Sequence, residues 1–367
     1  MPVRALPPNP SLEHLKYQAK DLIKGCAAHD PSVAQRIREF HPHWTKASDA
    51  EIFAAPFRLA DAQLAIAREY GFATWARLKR RVEKPKPSDQ VSLPHHERID
   101  DPIFRDGVRM IDAGDGEGLR EHLKQHPQLV LERVEFEGGN YFRNPTLLEF
   151  IAENPVRRGK MPSNIFQITE VILDAGVEAS AIDETLMLVA TGSAARECQQ
   201  QIPLIHLLCE RGGDPNRAAE AAAVLFERPA LVALMVCGAR MTLPLAASLG
   251  EYDQMRSFLP TSDSHERHLA LALAAQYGYA YAVEILLDAG EDPNRFNPVG
   301  GHSHSTPLHQ AAGNGHLDVV KLLVARGART DVKDILFGGT PEGWARYAGH
   351  KKVEAYLHGL EQQVPKK

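Results

Sequence analysis

The sequence predicts a mainly α protein: a solenoid of stacked helical hairpins, preceded by a small helical N-terminal domain. Three observations predict it. Thr306-Pro307 recurs as Thr340-Pro341, and Gly315-His316 as Gly349-His350, both 34 residues later. Ala274-Ala275, Gly278 and Gly290 match Ala311-Ala312, Gly315 and Gly327 at a spacing of 37. A shared period of that length marks units that bury their apolar faces only by stacking. Residues 11–83 lack the period but carry apolar stripes at helical spacing.

Composition bounds the rest. The chain has 367 residues, 44% apolar and 24% charged, which suits a folded protein and excludes wholesale disorder. Cys26, Cys198, Cys209 and Cys237 form no C-x-x-C pair and no zinc-knuckle spacing, so reduced thiols in a cytoplasmic protein are expected. MPVRALPPNP lacks the apolar run of a secretory signal, and no stretch approaches the roughly 18 apolar residues that span a bilayer. The net charge of -5 is uneven: residues 1–88 hold fifteen Lys or Arg against nine Asp or Glu, and the remainder 27 against 38. A solvated helical surface accounts for such a split.

In the front module, residues 1–83, SLEHLKYQAKDLIKGC places Leu12, Leu15, Ala19, Leu22 and Cys26 on one stripe. DPSVAQRIREF opens on an Asp cap and Pro31, with Val33, Ile37 and Phe40 inward. RLADAQLAIAREYG and TWARLKRRVE predict two more helices parted at Gly71, making four in all. Ala67 and Gly71 stand at the spacing of a DNA-reading helix-turn-helix, and Arg77, Lys79, Arg80 and Arg81 would reach phosphates. The pattern fails at Arg77, where an apolar residue is needed, while Trp75 and Leu78 form the expected buried pair. Nucleic-acid binding by these basic helices is therefore an alternative that the sequence disfavours. Residues 84–105, with Pro85, Pro87, Pro94 and Pro102, read as a linker.

From residue 106 to 361 about eight helix pairs are expected, with a tail at 362–367. The clearest unit is STPLHQAAGNGHLDVVKLLVARGA, residues 305–328. Thr306 is a good N-cap, and Pro307 fits a first-turn position whose N–H would have no partner. Leu308, Ala311 and Ala312 allow close helix packing, and Gly315 can adopt the positive φ that ends a helix. Val319, Val320, Leu322, Leu323 and Val324 form a broad apolar face stopped by Gly327. Weaker copies start at Thr242, Thr185 and Thr146, residues 218–241 look like a shortened pair, and Asp106 opens a capping unit. One continuous core is expected along the array.

Residues 305–328 resemble an ankyrin repeat, whose pattern runs T-P-L-H, A-A, G-H, then V-V-x-L-L-L-x-x-G-A. The front module, through AREYGF-x-x-W-x-x-LK, resembles a small helical segment found ahead of ankyrin arrays in bacterial proteins. The resemblance implies an ankyrin-repeat α-solenoid that serves as a partner-binding scaffold, with short β-hairpin fingers set across the helix stack and a concave inner face. It also implies that His309, the T-P-L-H histidine, ties neighbouring loops together.

Common catalytic signatures are absent: no G-x-S-x-G, no G-x-x-x-x-G-K-[ST], no H-E-x-x-H. His302 and His304, two apart, would share one side of an extended segment, where a Zn or Ni ion could be held if further ligands converged. His41, His43, His95 and His96 are other possible ligands that sequence cannot bring near. The enzyme or metal-protein reading stays open as an alternative, and no cofactor is called for. The favoured reading is a protein or peptide binding module, with no membrane partner. Its expected surface is the finger RFNPVGGHSHS, contributing Arg295, Phe296, Asn297, His302 and His304, beside Phe337 and Trp344 of the next unit. YFRNP at 141–145 is a second aromatic finger by the same logic.

Overall fold

The computed structural model describes residues 11–72, 74–83, 94–136 and 141–363. The chain forms two compact units, residues 1–92 and 93–367.

The front unit contains α1 (Leu12–Ala27), α2 (Pro31–Phe40), α3 (Asp49–Ala54), α4 (Leu59–Glu69) and α5 (Trp75–Glu83). Ser11 and Asp30 cap the first two through their side-chain oxygens, with Pro31 at the first helical position. The stripe Leu15, Ala19, Leu22 and Cys26 is buried against Ile37, Ala62, Ala65 and Ile66. The expected four helices are five. The extra one, α3, starts at a capping box in which Ser48 accepts from the Glu51 amide and Glu51 accepts from the Ser48 amide. Leu78 is buried and Trp75 half-buried in this core, while Arg77 is exposed. The side chains of Arg80 and Arg81 lie outside the described residues.

The second unit starts earlier than the sequence suggested. Residues 95–98 form a 3-10 turn, Ile99 and Phe104 are buried, and Asp101 caps a helix at Pro102. The end of the expected linker is therefore part of the array, anchored by those two apolar side chains. Residues 84–93 lie outside the described residues.

Eight successive pairs follow among the described residues. They are α6 (Pro102–Ala113) with α7 (Gly116–Gln125); a 3-10 helix (Leu148–Ala152) with α8 (Ile165–Asp174); and α9 (Ala179–Thr191) with α11 (Gln201–Glu210), the short α10 (Ser193–Glu197) between. Next come α12 (Pro215–Val224) with α13 (Arg228–Val236), α14 (Leu243–Leu249) with α15 (Tyr252–Phe258), and α16 (Ser264–Tyr277) with α17 (Ala280–Asp288). The last two are α18 (Pro307–Gly313) with α19 (Leu317–Ala325), and α20 (Pro341–Tyr347) with α21 (Lys351–Gln363). First helices pack on first helices, as α12, α14, α16, α18 and α20 do in sequence, and second helices form a parallel row from α15 to α21.

A recurring device joins the units. Gly278 and Gly315 end their helices at φ +80° and +79°, and an added Cβ would lie 2.5 Å from His316 Nδ1 and 2.6 Å from His350 Nδ1. Those histidines donate from Nε2 to the carbonyls of Gln276 (2.8 Å) and Gly313 (3.0 Å). Each imidazole thus satisfies a carbonyl left open at the end of the preceding unit's first helix.

Three expectations are corrected. Thr185 does not open a helix; it sits inside α9, its hydroxyl donating to the Ala181 carbonyl at 2.6 Å. The fingers are not β-hairpins: among the described residues there is a single antiparallel bridge, Arg133 with Thr146, and no strand. The apolar interior is two adjoining clusters rather than one, the first from Ile99 to Ala239 with Leu245 and Leu273, the second from Leu243 to Leu357, and they meet on α14 and α16. Met241 touches both. The alanines Ala218, Ala219, Ala222 and Ala223 of α12 share the first cluster with Leu245 of α14 and Leu273 of α16.

In the second pair a carboxylate stands where the unit at 306–309 carries the T-P-L-H histidine. Glu149 is buried and accepts from the Thr146 amide at 2.7 Å and its hydroxyl at 3.2 Å. Burial pushes its pKa up from 4.5 to about 7; the Thr146 bonds and Arg133 oppose this, and nearby Glu184 adds to it. The folded state therefore holds a proton that the unfolded chain releases at lower pH. Stability from this site is present at acid pH and falls as pH rises from about 4.5 to about 7. Glu149→Gln, which keeps the acceptor and removes the charge, should raise stability at pH 8 by roughly 2–3 kcal/mol and leave pH 4 nearly unchanged. Urea unfolding at the two pH values checks this; equal effects at both would reject it.

Candidate partner-binding surface

The long segment before α18 does not stand clear of the array. Asn297 closes its base, the amide donating to the Ser305 carbonyl at 2.8 Å and Nδ2 to Ser305 Oγ at 3.3 Å. This residue is buried, so the expectation of a surface contact is corrected to a framework role. Arg295 donates to Ser264 Oγ (2.9 Å) and the Ser264 carbonyl (3.2 Å), and His265 Nε2 donates to the Val299 carbonyl (3.2 Å). Gly301 packs so closely on Leu269 that a Cβ would stand 2.4 Å from its Cδ1. His302, at φ +60°, donates from Nε2 to the Val224 carbonyl at 3.0 Å, 78 residues earlier in the chain. The finger is thus laid along α16 and reaches the end of α12. Phe296 is half-buried, and Val299 is 83% exposed.

Where His302 lands, sequence reading missed a second group of side chains. Gln276 Nε2 also donates to the Val224 carbonyl (3.0 Å), and the Tyr277 hydroxyl donates to the Ala223 carbonyl (3.0 Å). Burial drives the Tyr277 hydroxyl well above its ordinary pKa, keeping it a donor. The Phe226 ring lies 4.6 Å from the Tyr277 ring, and Leu225 and Phe226 are exposed. No local motif announces this cluster; only the exposed pair Leu225-Phe226 hints at it.

On the other side, His304 gathers the predicted aromatics. Its ring is 5.7 Å from Trp344, 6.4 Å from Phe337 and 6.1 Å from His302, and its carbonyl accepts from the Ile335 amide at 2.9 Å. The organiser is Asp334, which the sequence did not single out. Its buried carboxylate accepts from the amides of Leu336 (3.0 Å), Phe337 (2.7 Å) and Gly339 (2.8 Å), and from Trp344 Nε1 (3.0 Å). Burial raises its pKa, and these four bonds more than offset that, leaving the carboxyl below its usual range. The knot uses the amides that a strand ladder would need, which is why this finger is a turn. It holds three consecutive apolar residues outward: Ile335 is 68%, Leu336 64% and Phe337 81% exposed. Trp344 is half-buried, and Tyr347, one turn further along α20, is almost fully exposed.

His309 is framework. It is buried, with Nδ1 accepting from the Thr306 amide (3.2 Å) and Nε2 donating to the Gly339 carbonyl (3.1 Å), and burial holds its pKa down. Of the two aromatics in YFRNP only Tyr141 is exposed; Phe142 is in the core. Among the described residues no group of three His, Cys, Asp or Glu side chains is arranged to hold a metal ion. His302 is committed to Val224, and a metal there would have to displace that carbonyl.

No described helix is long and apolar enough to cross a membrane. The family model for ankyrin repeats (3 copies) matches residues 194–334 and 271–360. The chain is 37% identical over 110 residues to ankyrin repeat and SAM domain-containing protein 6 of Mus musculus, covering 30% of this chain and 12% of that protein. It is 38% identical over 81 residues to cyclin-dependent kinase 4 inhibitor B of Rattus norvegicus, covering 22% of this chain and 59% of that one. It is 32% identical over 121 residues to cyclin-dependent kinase inhibitor 2A of Homo sapiens, covering 31% and 74%. The chain therefore spans only a small part of the first of these relatives and under two thirds of the second. With repeat register, helix pairing and these matches in agreement, the chain belongs to the ankyrin repeat family.

Proposed function

We propose that the array captures a protein or peptide through the fingers at 293–304 and 331–339 and the inner first-helix row beside them. The observation that carries this reading is the Ile335-Leu336-Phe337 ridge, three large apolar side chains kept in water by a buried carboxylate knot. Apolar surface held out at structural expense is typical of a recognition site, and aromatic anchors dominate such interfaces. Two relatives whose names make them inhibitors of cyclin-dependent kinases, and so binders of proteins, support the class of ligand. Within the surface, Phe337, Trp344 and His304 are the anchors, Phe296 and Arg295 the flank, and Leu225, Phe226 and Tyr277 an extension reached through His302. The domain division we propose is a helical module at 1–83 and an array to 361. The AREYGF stretch supports a bacterial type of ankyrin protein, and four free cysteines support a cytoplasmic setting.

Replacing Phe296, His304 and Phe337 together by alanine should reduce capture of partners from a lysate by at least about 100-fold, the loss of two or more anchors, with helicity unchanged. Equal capture by the variant would reject this surface.

A further inference from the structure

The outer edge of the array carries a second recurring device. At two junctions the residue just before a unit's terminal positive-φ glycine reaches back to the preceding second helix. Arg326, before Gly327, pairs with Asp288 (2.6 Å) and Glu284 (3.1 Å) of α17, and Arg211, before Gly212, pairs with Asp174 (2.7 Å) of α8. In the fourth unit the same place, before Gly238, holds Cys237. Its neighbours on α11 are not carboxylates. Sγ of Cys237 lies 3.5 Å from His206 Nδ1, which occupies the position of Glu284, six residues before the glycine. The Cys209 thiol stands one turn along α11 from His206, on the side that faces Cys237; burial first, and then the influence of Cys237, push its pKa up to about 12. One junction has thus exchanged an ionic staple for two thiols and an imidazole.

We propose that Cys209 and Cys237 form a peroxide-responsive thiol pair, with His206 as the base for Cys237, closing to a reversible disulfide between α11 and the end of α13. His206 Nδ1 takes the Cys237 thiol proton, and the thiolate sulfur attacks one oxygen of hydrogen peroxide. The O–O bond breaks, giving the Cys237 sulfenic acid and hydroxide, which collects the proton as water. Cys209 sulfur then attacks Cys237 sulfur; the S–O bond breaks and hydroxide leaves with the Cys209 proton as a second water. Two thiols lose two electrons and the peroxide gains them. Both thiols are part-exposed, and the first step falls to Cys237 because it is the one paired with the imidazole, whereas Cys209 is held as a thiol until a sulfenic acid is beside it. Both residues stand at helix C-termini, Cys209 as the penultimate residue of α11 and Cys237 as the C-cap of α13 before an unhindered glycine, where the backbone can close the remaining gap.

The test uses the full reduced chain treated with a small excess of hydrogen peroxide, quenched by alkylation and read by intact mass and peptide mapping. Expected is a loss of two hydrogen atoms, a Cys209–Cys237 cross-linked peptide, and reversal by dithiothreitol, with Cys26 and Cys198 still alkylated. Cys209→Ser should stop at a Cys237 sulfenic acid trapped by dimedone, and His206→Asn should slow cross-linking at least tenfold with unchanged helicity. Oxidation of Cys237 without a link to Cys209, linkage to Cys198, or a cross-linking rate indifferent to His206 would each overturn the proposal.

Discussion

Arg157→Ala should lose about 3–5 kcal/mol of stability, the largest effect expected of any single replacement in the array. The guanidinium is 2% exposed and makes two bonds to Asp112, at 2.9 and 3.2 Å. It also lies 2.8 Å from Glu153 Oε1, donates to the Phe150 carbonyl at 2.9 Å, and stands 5.2 Å over the Phe150 ring. Without it Glu153 and Asp112 lose their buried counter-charge, with Arg158, 3.5 Å from Asp112, and the backbone amides of residues 157 and 158, donating to Glu153 Oε2 at 3.1 and 3.0 Å, as partial relief. Stranded buried charge, rather than the loss of a favourable pair, is what makes the replacement severe. Arg157→Lys should recover less than half, since a point charge cannot grip Asp112 with a fork and also reach Glu153 and Phe150. Denaturant unfolding measures both variants; a loss under about 1 kcal/mol for alanine would contradict the account.

The second large effect is expected at the seam between the last two pairs. Gly315→Val puts a branched side chain at φ +79°, about 1–2 kcal/mol against an L-residue, and sets its Cβ 2.6 Å from His350 Nδ1. The imidazole must move, surrendering its bond to the Gly313 carbonyl, so the total should approach roughly 3 kcal/mol. His350→Ala in the same chain relieves the collision but not the backbone strain. The double replacement should therefore be less damaging than the sum of the two singles by about 1 kcal/mol, and strict additivity in a double-mutant cycle would show that the two residues do not meet.

Much of the fold was legible because its signals are local. T-P at 306 and 340, glycine at 315 and 327, and the apolar face of α19 fix helix starts, stops and inner sides within one unit. Where reading failed, a non-local or competing effect decided. Thr185 looks like a helix start only until the preceding turn is seen to be helical as well. Helix α3 carried a readable Ser-x-x-Glu signal at 48–51 that a search for long stripes passes over.

For the surface, the residue types were readable and the geometry was not. Residues His304, Phe337 and Trp344 do come together, but Asn297 turns inward and His302 is spent on a backbone carbonyl 78 residues away. Nothing in the segment around Asp334 distinguishes a buried knot from an ordinary turn aspartate, because its four donors are supplied by the loop's final path.

The glycine and histidine joints give the array a direction in time. Gln276 must wait 40 residues for His316, and Gly313 must wait 37 for His350, before either carbonyl meets its imidazole. A growing polypeptide leaving the ribosome would therefore always trail one unfinished hairpin behind the newest, so that maturation lags translation by a whole module. Gly349, whose surroundings are open, is built like the earlier joints but receives no such closing ring among the described residues.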